Sequence, residues 1–160
     1  MAAQEEKVRK ILHPLVEGLQ QGLGQNLIAV VLFGSRARGE ATAESDWDIF
    51  LMAESLPSSP LKRHAFLCKL VPRDFKGEVS FLAKTREEFA GGFPSFYLDL
   101  ALDGIIVYDP EGYMQSRLSR IQEIIKEAGL RREGINGGFF WDWEQLPGDE
   151  WEISWEGFRQ

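Results

Sequence analysis

The chain has 160 residues, 44% of them hydrophobic and 27% charged, with a net charge of −7, as expected of one globular domain large enough to bury a core. With 18 Lys+Arg against 25 Asp+Glu, the balance argues against non-specific nucleic-acid binding, which needs clustered basic side chains. The single cysteine, Cys68, excludes an internal disulfide and fits a reducing compartment, and with only His13 and His64 beside it a zinc site is not expected.

Residues 1–10 are studded with charge, and no stretch approaches the roughly 18 apolar residues that span a bilayer. The expectation is a cytoplasmic protein with no membrane partner.

Val8, Ile11, Leu12, Leu15 and Leu19 recur at helical spacing and predict an amphipathic helix ending near Gly22 or Gly24, kinked or delayed by Pro14. Leu27 to Phe33 is a continuous, partly β-branched apolar run, suited to a central strand covered on both faces. Gly34 closes it, with Ser35 placed to cap a helical turn. Asp46 to Met52 reads as a second strand, and a helix is expected through Leu61, Ala65, Phe66 and Cys68 to Leu70.

Val79 to Leu82 reads as a third strand, and Thr85-Arg86-Glu87-Glu88 has the form of a capping box. Phe96 to Leu102 reads as helical and Ile105 to Tyr108 as extended. A long helix follows, with Met114, Leu118, Ile121, Ile125 and Ala128 on one face and Gly129 as its stop. Asp99 and Asp103 read as a solvated helix face. Beyond residue 135, aromatic residues alternate with acidic ones in Phe139 to Trp143 and Glu150 to Trp155. That pattern predicts an accessory sheet packed on the core, or a dimer or partner contact. Strands with intervening helices, then extra strands, indicate a mixed α/β or α+β domain. The expected layout is a single domain over 1–160, with a core of about 5–108 and an extension of about 109–160.

The most informative stretch is Gly34-Ser35-Arg36-Ala37-Arg38-Gly39, followed closely by Ser45-Asp46-Trp47-Asp48. Side chains alternate along a strand, so Asp46 and Asp48 share one face. Adjacent carboxylates repel unless a cation separates them. Oxygen donors at that spacing suit magnesium, which binds through one or two carboxylates plus substrate phosphates, and two such ions can stabilise both oxygens of a phosphoryl-type displacement. A lone Asp-x-Asp is more often a polar strand edge. The preceding Gly-Ser changes that balance, because glycine lets backbone approach a phosphate and the serine hydroxyl adds a donor.

These residues resemble the signature of the DNA polymerase β-type nucleotidyltransferase superfamily, most closely its small minimal nucleotidyltransferases, over residues 27–52 and more loosely to about residue 90. The resemblance implies a nucleotidyltransferase fold, a mixed sheet flanked by helices with the site on its second strand. It implies that Gly34 and Ser35, with the basic positions Arg36 and Arg38, hold the triphosphate of an NTP, ATP by preference, and that Asp46 and Asp48 ligate two magnesium ions. A third acid on a neighbouring strand would be Glu78, with Ser80 as the competing position. The expected reaction is transfer of a nucleoside monophosphate to an acceptor hydroxyl with release of pyrophosphate. Members of this type also act as antitoxin or binding subunits of a helical HEPN-type partner, in which case the acceptor is a partner tyrosine. An antibiotic-modifying transferase is a further possibility; so short a chain would have to dimerise to build the acceptor site.

Overall fold

The computed structural model describes residues Ala2–Gln160. Helix α1 (Ala2–Leu23) leads into strand β1 (Leu27–Phe33), the short helix α2 (Gly34–Arg38) and strand β2 (Trp47–Ala53). Helix α3 (Pro60–Leu70) crosses to β3 (Val79–Thr85), followed by α4 (Arg86–Ala90), α5 (Phe96–Asp103) and β4 (Ile105–Tyr108). Helix α6 (Tyr113–Ala128) then leads to two ribbons, β5 (Leu130–Ile135) with β6 (Gly138–Trp143), and β7 (Glu152–Ser154) with β8 (Gly157–Arg159).

The main sheet has the order β3-β2-β1-β4. Strand β2 runs parallel to β3, and β1 is antiparallel to both β2 and β4, so the sheet is mixed, as expected. The two central strands are buried on both faces. Val30, Leu32, Ile49 and Leu51 pack with Leu12, Leu15 and Leu19 of α1 and Leu67 of α3. On the other face Val31, Phe50 and Met52 pack with Phe89, Tyr97, Leu100, Met114 and Ile121 of α4, α5 and α6. Asp48 belongs by strand alternation to this second face, ahead of the fully buried Phe50 and Met52.

Helix α1 is continuous from Ala2 and carries Pro14 in its interior, so the expected late start does not occur. Both of its halves bury apolar residues, Val8 and Leu12 before the proline and Leu15, Val16 and Leu19 after it. That packing outweighs the roughly 3 kcal/mol that an interior proline costs. Ile11, by contrast, is 42% exposed, off the buried stripe. On α6 the buried position is Ile124 rather than Ile125. The capping box forms: Glu88 N–H donates to the Thr85 hydroxyl at 3.1 Å and Thr85 N–H to Glu88 Oε1 at 2.8 Å. Gly129 closes α6 at φ 65°. No helix of the described residues is long and apolar enough to cross a membrane.

Of the C-terminal aromatic residues, Trp141 and Trp155 pack on the core, while Phe139, Phe140 and Trp151 stay exposed. Trp155 sits among Phe89, Phe93 and Tyr97, with ring centroids 4.9 to 5.8 Å away, and its Nε1 donates to the Gly92 carbonyl at 2.9 Å. Trp141 Nε1 donates to Asp99 at 3.1 Å.

Candidate active site

Strand β1 ends at Phe33, whose register partner on β2 is Asp48. The chain turns there through Gly34 at φ 73°, a conformation that costs a residue with a Cβ about 1–2 kcal/mol. A Cβ at Gly34 would also overlap Asp48 Oδ2 and lie 3.0 Å from its Cγ. Glycine is therefore required twice at this position, once for the turn and once for the close approach of backbone to carboxylate. Ser35 follows inside α2. The N-cap of that helix is Phe33 and no side chain caps it, so the expected capping role of Ser35 is not realised. A glycine at positive φ already sets the helix start, and the serine hydroxyl is not committed to a cap.

Asp46 lies one residue ahead of β2 and is exposed; Asp48 is half-buried. Burial, and then the negative charge of Asp46, push the Asp48 carboxyl above its usual range, while Arg38 opposes both. The two carboxylates are thus close enough to repel, and a divalent cation between them would relieve both effects. Two oxygen-donor side chains fit magnesium, which completes its shell with phosphate oxygens and water. Among the described residues no three His, Cys, Asp or Glu side chains gather into a metal-binding group.

Glu78 stands immediately before β3 and is exposed; its carbonyl accepts the Trp47 N–H at 2.7 Å. Ser80 is the register partner of Asp48 on β3. The position beside Asp48 thus carries a hydroxyl, and Glu78 falls one step outward, in the row of Asp46.

The two arginines of α2 do different things. Arg36 donates twice to the Ser45 carbonyl, at 3.0 and 2.6 Å, and lies 4.3 Å over the Trp47 ring. It ties the loop before β2 to α2 and so fixes where Asp46 begins. Arg38 points the other way, to Glu40 at 3.0 Å and Asp103 at 3.4 Å. It shares a cavity of about 270 Å³ with Phe33, Gly34, Phe96, Asp103, Arg132 and Phe139.

Asp99 and Asp103 are not a solvated helix face. Arg132 from β5 donates to Asp103 at 2.7 and 2.8 Å and to Asp99 at 3.1 Å, and the Asp103 side chain is only 8% exposed. The first strand of the β5–β6 ribbon covers Asp103 and pairs both carboxylates with Arg132, which the spacing along α5 alone does not reveal. Arg132 escaped the sequence reading altogether; its available signal is an adjacent pair of arginines, Arg131-Arg132, in an otherwise acidic tail.

Three comparisons bear on this arrangement. Residues 17–88 match the family described as "Polymerase beta, Nucleotidyltransferase". A Methanocaldococcus jannaschii protein named "Putative protein adenylyltransferase" is 29% identical over 126 residues, covering 76% of this chain and 86% of that one. A chain of a toxin–antitoxin structure with AMP-PNP superposes with a TM-score of 0.54 at 14% identity, covering 71% of this chain and 86% of that chain. A chain of a mutant toxin–antitoxin MntA-HpeT structure gives 0.52 at 13%, covering 76% and 86%. At such identities the two structures speak for the fold alone. They agree with the mixed sheet flanked by helices, and residues 17–88 of this chain are similar to the polymerase β-type nucleotidyltransferases.

Proposed function

We propose that this chain transfers AMP from ATP to a hydroxyl group on a protein, releasing pyrophosphate. The observation that carries the reading is the packing of Gly34 on Asp48. It sets a turn able to approach phosphate within a side chain's length of the carboxylate pair. The protein acceptor is supported by the name of the Methanocaldococcus relative, and ATP by the AMP-PNP of the toxin–antitoxin structure.

In this reading Gly34 and Ser35 hold the β and γ phosphates, and Arg38 adds a cationic contact that orients them. Arg36 keeps its place on Ser45 and presents Asp46. Magnesium held by Asp46 and Asp48, as two ions when the triphosphate supplies the remaining oxygens, would neutralise charge developing on the phosphates. The acceptor oxygen attacks the α-phosphorus, and the bond from that phosphorus to the bridging oxygen breaks. Pyrophosphate leaves and the hydroxyl proton passes to a carboxylate. Glu78, in the row of Asp46 and free at the rim of β3, is our choice for that third carboxylate. The test is incubation with α-labelled ATP and magnesium in a cell lysate. Label on one protein band, absent with Asp46→Asn/Asp48→Asn, supports the reading; labelling retained by the double variant contradicts it.

A second reading, an antitoxin or binding subunit of a helical partner, is supported by the toxin–antitoxin neighbours and by Ser80 in place of an acid beside Asp48. Co-purification with a helical protein, unaffected by Asp46→Asn/Asp48→Asn, would favour it.

A further inference from the structure

Two arginines compete for one carboxylate beside the site. Arg132 holds Asp103 through both oxygens, at 2.7 and 2.8 Å, in the planar fork that makes guanidinium–carboxylate pairs strong. Arg38 reaches the same Asp103 Oδ2 at 3.4 Å only. Both guanidinium groups lie over the Phe139 ring, Arg132 at 4.2 Å and Arg38 at 4.9 Å. The Arg132 and Asp103 side chains are 11% and 8% exposed, that of Arg38 23%.

A carboxylate so little exposed must keep a cationic partner, because leaving it bare is strongly unfavourable. With Arg132 in place that need is met, and Asp103 holds Arg38 only at 3.4 Å, its shorter contact being the exposed Glu40 at 3.0 Å. Without Arg132 the nearest cation is Arg38, which would close on Asp103 and turn away from Gly34, with which it shares the cavity.

We propose that Arg132 is a positioning residue for the nucleotide: by saturating Asp103 it keeps Arg38 from closing on that carboxylate, so that Arg38 need exchange only its exposed Glu40 partner to bind the triphosphate. The ribbon of β5 and β6 is then a working part of the site, not only a cover for the core. This rests on the transferase reading above, and names Arg38 as its mobile phosphate contact and the triphosphate, not the nucleoside, as what it recognises.

The experiment is equilibrium binding of a non-hydrolysable ATP analogue and of AMP, both with magnesium, to the full chain and its variants. Arg132→Ala should weaken the ATP analogue about tenfold, the loss of one charge-assisted phosphate contact, and leave AMP binding within about twofold. Removing the competing carboxylate as well, in Asp103→Ala/Arg132→Ala, should bring the ATP analogue back to within about threefold of the parent chain. A merely structural Arg132 gives no such rescue, and weakens both ligands alike. Either result overturns the proposal, as does an unchanged ATP affinity in Arg132→Ala. Should Arg132→Ala lack a cooperative melt, Arg132→Gln decides by the same criterion, since it keeps much of the side chain's bulk but removes the charge. Failure of the parent chain to bind the ATP analogue at all would instead overturn the transferase reading itself.

Discussion

The α-carbon of Gly34 faces the Asp48 carboxylate so closely that a methyl group on it would overlap Oδ2. The turn after β1 and the acid on β2 are therefore one construction. A second glycine, Gly39, closes α2 at φ 73° but has only the Gln4 side chain, at 3.5 Å, near its missing Cβ. The two separate backbone strain from site geometry. Gly39→Ala should cost about 1 kcal/mol of stability with nucleotide binding retained. Gly34→Ala should cost about 2 kcal/mol or more and abolish binding of an ATP analogue. Thermal melts and titration calorimetry on both variants check this.

Arg36 is expected to act through the loop. Its double donation to the Ser45 carbonyl and its stacking on Trp47 cannot be reproduced by lysine. Arg36→Lys should lower stability by about 1 kcal/mol and speed amide exchange in residues 40–46. The rest of the sheet should exchange as before.

The third carboxylate is tested by a pair of substitutions. Glu78→Gln should lower AMP transfer by about 100-fold, the typical contribution of a general base, with ATP binding little changed. Ser80→Asp, which places an acid at the register partner of Asp48, should restore part of that loss in the Glu78→Gln background. Transfer unchanged in Glu78→Gln would remove Glu78 from the site.

Tyr97 supplies a pH dependence at alkaline values. Burial first, then the negative charge of Glu88, pushes its phenol up to about 12, from an ordinary value of about 10. The folded state thus holds this proton more tightly than the unfolded chain does. Its contribution is complete below pH ~10 and is lost as pH rises through the interval up to about 12. The hydroxyl donates to the Phe89 carbonyl at 3.1 Å, so Tyr97→Phe should cost about 1 kcal/mol at neutral pH. The same variant should flatten the fall in melting temperature above pH 10, read by circular dichroism.

Much of the core was legible because local pattern and tertiary environment agree. Leu27–Phe33 is an unbroken apolar run, and it is one of the two central strands, with the bounds expected. Thr85 with Glu88, and Gly129, announce helix ends through capping chemistry that needs no distant partner. Reading fails where a distant element decides. Pro14 argues against a continuous helix until the sheet offers both halves a surface. Strand β5, Leu-Arg-Arg-Glu-Gly-Ile, lacks an apolar run and is held by its pairing with β6. Asp99 and Asp103 look solvated until Arg132 arrives from β5. At the site, strand alternation predicted Asp46 and Asp48 on one face, while the close approach of Gly34 to Asp48 comes from the register of β1 on β2. Alternation could not show that Arg36 is spent on Ser45 while Arg38 is shared with Asp103.

The most direct test of the central claim is a crystal of the chain grown with a non-hydrolysable ATP analogue and manganese in place of magnesium. The account predicts anomalous scattering from metal at the Asp46 and Asp48 carboxylates, with the β and γ phosphates against Gly34 and Ser35. Nucleotide bound elsewhere, or bound there with no metal on either aspartate, would contradict it.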